Sequence, residues 1–144
     1  MNIKKLMYSL SAVVFCLFAF SQAALAYSSA YGSQVAAPTL YAKSTSYSTA
    51  YFPIVGSPPA SSKVGLVSSS WSYSYIPAGL EVWLCHAVVG CLNVTNSQSG
   101  STTAFQSAGA SAASQFYLAT RVTGSGTMAP AYGQVSRVTV NYTY

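Results

Sequence analysis

Residues 67–75 constrain this chain more than any other stretch. Val67, Trp71, Tyr73 and Tyr75 fall on one parity, and Ser68, Ser70, Ser72 and Ser74 fall on the other. A period of two is the period of a β-strand, and it puts the aromatic residues on one face and the hydroxyls on the opposite one. A helix would scatter both sets around its circumference. The end of the chain repeats the pattern: Val138, Val140, Tyr142 and Tyr144 alternate with Arg137, Thr139, Asn141 and Thr143. Phe116, Leu118 and Val122 predict a further strand with Tyr117 and Arg121 on its outer side, and residues 102–106 a shorter one. In each case the aromatic and aliphatic row is the expected core and the Ser/Thr row the solvated face.

Gly and Pro punctuate these runs, at Pro58-Pro59, Pro77-Ala78-Gly79, Gly100, Gly124-Ser125-Gly126 and Pro130 to Gly133. Short alternating strands between turn signals predict an all-β domain, a small antiparallel β-sandwich or a barrel. Residues 27–63 carry fewer signals. Residues 27–51 read as an early strand or as a flexible arm, and the parity of Lys43, Thr45, Tyr47, Thr49 and Tyr51 points to one strand near residues 41–52. Residues 108–113 are small enough to form a helical turn.

Residues 81–85 and 91–95 fit together as the arms of a hairpin. If Cys85 pairs with Cys91, Leu84 falls opposite Leu92 and Val82 opposite Val94, so the apolar residues of both arms share a face. The cysteines share the other face with Trp83 and Asn93. Directly opposed strand residues lie about 4.5–5.5 Å apart at Cα, which is within reach of a disulfide. The same register therefore satisfies core and bridge, and a Cys85–Cys91 disulfide is expected.

The N-terminus carries its own pattern. Lys4 and Lys5 precede an apolar run from Leu6 to Phe20, and Ala24-Leu25-Ala26 follows. This is the layout of a secretory signal, with Ala24 and Ala26 as the small residues at the cleavage site and Tyr27 as the first mature residue. The run is short for a membrane-spanning helix. Residues 1–26 are thus expected to be a signal peptide and 27–144 a single domain. Cys16 leaves with the signal, and an even pair of cysteines in an exported domain agrees with a disulfide.

Charge excludes several kinds of function. The chain holds 6 Lys and Arg, 1 acidic residue and 1 His. After position 26 the charged side chains are Lys43, Lys63, Arg121, Arg137 and Glu81. Scattered cations make no basic stripe for nucleic acid. One carboxylate cannot make a catalytic pair. Glu81 and His86 have opposite parity on one arm, which disfavours a Ser-His-acid triad. Cys85, His86 and Cys91 lack a fourth zinc ligand, and neighbouring strand residues point apart. His86 is expected to be an exposed turn residue. No catalytic residue, metal, cofactor or small-molecule substrate is expected.

The C-terminal half resembles the flagellar protein FlhE family. The resemblance rests on Trp71-Ser72-Tyr73, on Pro77-Ala78-Gly79-Leu80-Glu81-Val82, and on Leu84-Cys85 followed by Cys91-Leu92. It continues through residues 98–105, Phe116, Gly124, Gly126, Pro130-Ala131 and Val138-Thr139-Val140-Asn141-Tyr142. It implies a non-enzymatic periplasmic accessory of the flagellum. It further implies that the protein limits proton leakage through the type III export gate, with the gate component FlhA as partner, and that it affects swarming. Two other readings fit the composition: a secreted or cell-surface fibre or adhesin subunit assembled by strand donation, and a small outer-membrane β-barrel. Strands as short as residues 81–85 weigh against the barrel, because a spanning strand needs about 9–11 residues.

Overall fold

The computed structural model describes residues 28–144. The proposed signal and its cleavage residues Ala24, Ala26 and Tyr27 lie outside the described residues. The described residues form eight strands: β1 (Ser28–Ala36), β2 (Ser46–Ser48), β3 (Lys63–Ser70), β4 (Leu80–His86), β5 (Gly90–Asn93), β6 (Ser99–Thr102), β7 (Phe116–Val122) and β8 (Val135–Thr143). A short helix, α1 (Ala104–Ser107), lies between β6 and β7. The strands form two four-stranded sheets, ordered β1-β8-β3-β6 and β2-β7-β4-β5. Every pairing is antiparallel.

The two sheets face one another across a single core. β8 contributes Val138, Val140 and Tyr142, and β3 contributes Val64 and Val67. From the other sheet come Leu80, Val82 and Leu84 of β4 and Phe116, Leu118 and Val122 of β7. These are the apolar rows of the alternating strands, with one departure: Val64 and Val67 differ in parity, and the β3–β8 register shifts between them. The arrangement is a sandwich with open edges rather than a closed barrel, and its apolar surface is turned inward. That orientation removes the basis for the outer-membrane reading. Polar side chains cross-link the layers. The Tyr73 hydroxyl donates to Thr120 Oγ1 at 3.4 Å, and Trp71 Nε1 donates to the Val94 carbonyl at 3.2 Å. The buried Tyr31 hydroxyl donates to the Ala112 carbonyl at 3.3 Å. Burial, together with the nearby Tyr142, pushes the Tyr31 phenol up to about 12. Burial also raises the Tyr73 phenol, against a smaller opposing effect of its Thr120 bond.

Several local expectations need correction. The strand expected through Tyr75 ends at Ser70. Trp71 and Tyr73 keep the inner parity and are buried, but Tyr75 is 40% exposed, because the chain leaves the sheet and the Tyr75 hydroxyl bonds the Ala129 carbonyl. Tyr144 likewise lies beyond β8 and is exposed. The strand expected at residues 102–106 is displaced: β6 precedes it, pairing Ser68 with Ser101 and Ser70 with Ser99. Residues 104–107 turn into α1, which buries Phe105 against Phe116 in an edge-on contact. A single large side chain in a run of small ones is satisfied by one helical turn.

The segment read as a strand or arm is built into both sheets. β1 pairs with β8 over nine consecutive positions, from Ser28↔Thr143 to Ala36↔Val135. Only Ser46–Ser48 is regular strand within residues 41–52, yet the chain continues alongside β7. Thr49 N–H bonds the Leu118 carbonyl at 2.9 Å and Phe52 N–H bonds the Phe116 carbonyl at 2.8 Å. Phe52 is 1% exposed, so the core holds this irregular stretch in place.

Candidate functional site

Register, disulfide and turn together fix the β4–β5 hairpin. Its register pairs Cys85 with Cys91 and Leu84 with Leu92, and the Val94 N–H reaches the Val82 carbonyl at 2.8 Å. This is the expected pairing in full. The Cys85–Cys91 disulfide is formed across it, with Cα atoms 4.0 Å apart. Both sulfurs are bonded to one another, so neither serves as nucleophile or metal ligand. Gly90 closes the turn at φ +107°, a conformation that side-chain-bearing residues rarely adopt.

His86 departs from expectation. It is 2% exposed and lies on the inner side of the last β4 position, opposite Phe116. Its ring packs edge-on against Phe116, with centroids 4.9 Å apart. Nε2 donates to the Ser111 carbonyl at 3.0 Å. Nδ1 accepts from the backbone N–H groups of Val88 and Val89, each at 3.3 Å. This pattern defines the Nε2-protonated tautomer. Both nitrogens are spent on backbone, so the ring is a structural clamp between the turn and the loop before β7. Sequence reasoning missed it because its partner Ser111 lies 25 residues away.

The clamp and the disulfide hold an apolar tip. Val88 is 75% exposed and Val89 36%. On the outer face of the same sheet, Tyr117 stands opposite Cys85 and meets Tyr51 edge-on, with centroids 5.4 Å apart. Trp83, opposite Ala119 and Asn93, is partly exposed on that face. Glu81 faces Arg121 across β4 and β7 at the far end of the strands. Glu81 and His86 thus occupy opposite faces and opposite ends of β4, and no triad forms. The surface around the tip offers aromatic and aliphatic contact area, with Tyr51 52% exposed beside Tyr117.

The other sheet carries a depression of about 370 Å³, lined by Ser68, Ser70, Ser99, Ser101, Thr139 and Arg137 among others. It is a grid of hydroxyls with one guanidinium. Ser68 and Ser101 are hydrogen-bonded to each other at 2.7 Å, and Arg137 Nε donates to Gln34 Oε1 at 3.3 Å. Among the described residues no group of three or more His, Cys, Asp or Glu could hold a metal ion. No helix among them is long and apolar enough to cross a membrane.

Comparison with known proteins connects this sandwich to one family. The family model for flagellar protein FlhE matches residues 37–143. A crystal structure of FLHE superposes with a TM-score of 0.73 at 26% sequence identity, over 81% of this chain and 98% of its own. A search of curated proteins returns no match. The match spans the disulfide hairpin, the clamp residue and both inner faces, and on that basis the chain belongs to the flagellar protein FlhE family.

Proposed function

We propose that this protein acts in the periplasm as a non-enzymatic accessory of the flagellum. In this reading it limits proton leakage through the type III export gate and supports swarming, with FlhA as its partner in the membrane. The observation that carries the reading is the family match over residues 37–143. The site chemistry supports a binding role. The two sulfurs are bonded to each other, and both nitrogens of His86 are engaged with backbone. Export by the N-terminal signal belongs to the same proposal, with Ala24 and Ala26 setting cleavage before Tyr27. The oxidised Cys85–Cys91 pair suits an oxidising compartment. A strand-donated fibre subunit has less support, because β8 of the same chain fills the centre of its sheet.

Deletion of the gene in its flagellated host tests the proposal. Expected are cytoplasmic acidification at low external pH and impaired swarming, both restored by the intact gene. Unchanged cytoplasmic pH and swarming would refute it. Mass spectrometry of the exported protein should find Tyr27 at its N-terminus, and retention of residues 1–26 would refute the signal assignment.

A further inference from the structure

The sandwich has four sheet edges, and they are unequal. β2 has 3 residues, β5 has 4 and β6 has 4. Edges this short offer little backbone to a passing strand, which is a common protection against unwanted pairing. β1 is different. It has 9 residues, pairs with β8 without interruption, and contains no charge and no Pro. Among the described residues, no strand pairs with its outer edge.

β1 is also compatible with itself. Antiparallel pairing of two β1 strands over their full length places the twofold axis at Gly32, the middle residue. Ala30 then faces Gln34 of the other copy, and Ser28 faces Ala36. These outward positions are all exposed, and none brings like charges together. The residue on the axis has no side chain to collide with its symmetry mate. A closed twofold contact of this kind joins the same surface of both subunits.

We propose that β1 is a self-association edge, through which two copies pair antiparallel about Gly32 and their β1-β8-β3-β6 sheets become one continuous eight-stranded sheet. The contact is one strand wide and smaller than a permanent interface, so the dimer is reversible and concentration-dependent.

The test is sedimentation of the purified protein over a concentration series. Wild type is expected to shift from monomer to dimer. Ala30→Glu with Gln34→Glu sets two like-charged pairs across the axis. The two like-charged pairs together should weaken the dimer by up to about thirtyfold. Ala30→Lys with Gln34→Glu sets two opposite pairs and should restore it. Both variants carry the same Gln34→Glu change beside Arg137, so the effect of that change within the subunit is shared. A monomer at every concentration, or equal loss in both variants, overturns the proposal. Hydrogen exchange on the wild type is a second measurement, independent of variant folding. β1 amides should gain protection as concentration rises. Protection that appears only when a separate extended peptide is added would assign the edge to a foreign strand and overturn the pairing of two copies.

Discussion

Reduction of the Cys85–Cys91 disulfide tests whether the bridge locks one hairpin or holds the whole sandwich. The cysteines are 6 positions apart. Closing so short a loop removes little entropy from the unfolded chain, about 2.3 kcal/mol at 25 °C by the chain-entropy relation, against about 4.7 kcal/mol for a 100-residue loop. β4 does not depend on the bridge for its place. It pairs with β7 over seven positions, and Val82 and Leu84 are fully buried beneath it. The reduced protein should therefore stay folded, with an unchanged far-UV circular dichroism spectrum and a urea midpoint lower by about 1–2 M. Equilibrium denaturation with and without reductant gives the number directly. A reduced protein that is unfolded without denaturant would refute the local role, and an unmoved midpoint would refute the entropic one.

Other perturbations probe other layers. His86→Ala removes the donor to the buried end of the Ser111 loop and leaves a cavity beside Phe116. It should cost about 3 kcal/mol, read as a lowered melting midpoint, with faster amide exchange at Val88 and Val89. Gly133→Ala should destabilise by about 3 kcal/mol or more, because the added Cβ would run into the backbone carbonyl of Ala37. Tyr31 supplies a pH test. Its folded phenol is raised from 10.0 to about 12, so its contribution is complete below pH 10 and is lost as pH rises toward 12. Denaturation at increasing alkaline pH should show this loss, and Tyr31→Phe should flatten it in that window.

The parts legible in the sequence were those written as alternation. In β8 an apolar row and a polar row separate cleanly, and in β7 and the hairpin the buried row is marked by Phe116, Leu118, Val122, Val82 and Leu84; a one-residue slip would exchange inner and outer rows. β1 stayed undecided between an early strand and an arm because only Tyr31 and Val35 mark its inner row, and the residues between are Ser, Ala, Gly and Gln. β6 consists of Ser, Gly and Thr and has no apolar row to read. His86 illustrates a different limit. Its neighbours on the strand predict direction but not depth. Burial is decided by Phe105, Ser111 and Phe116, which arrive from the far side of the sequence. The aromatic contact of Tyr51 with Tyr117 was hidden for the same reason.

The strand order also has a consequence in time. Among the described strands β8 comes last in the sequence, yet it sits between β1 and β3 and is the partner of both. Until its final residues emerge, the first strand has nothing to pair with and half the core has no wall. In a chain passed through a narrow pore from its N-terminus, β1 and β3 would therefore wait for β8, while the β2-β7-β4-β5 sheet has all its strands earlier. The chain could close the β1-β8-β3-β6 sheet only after β8 had arrived.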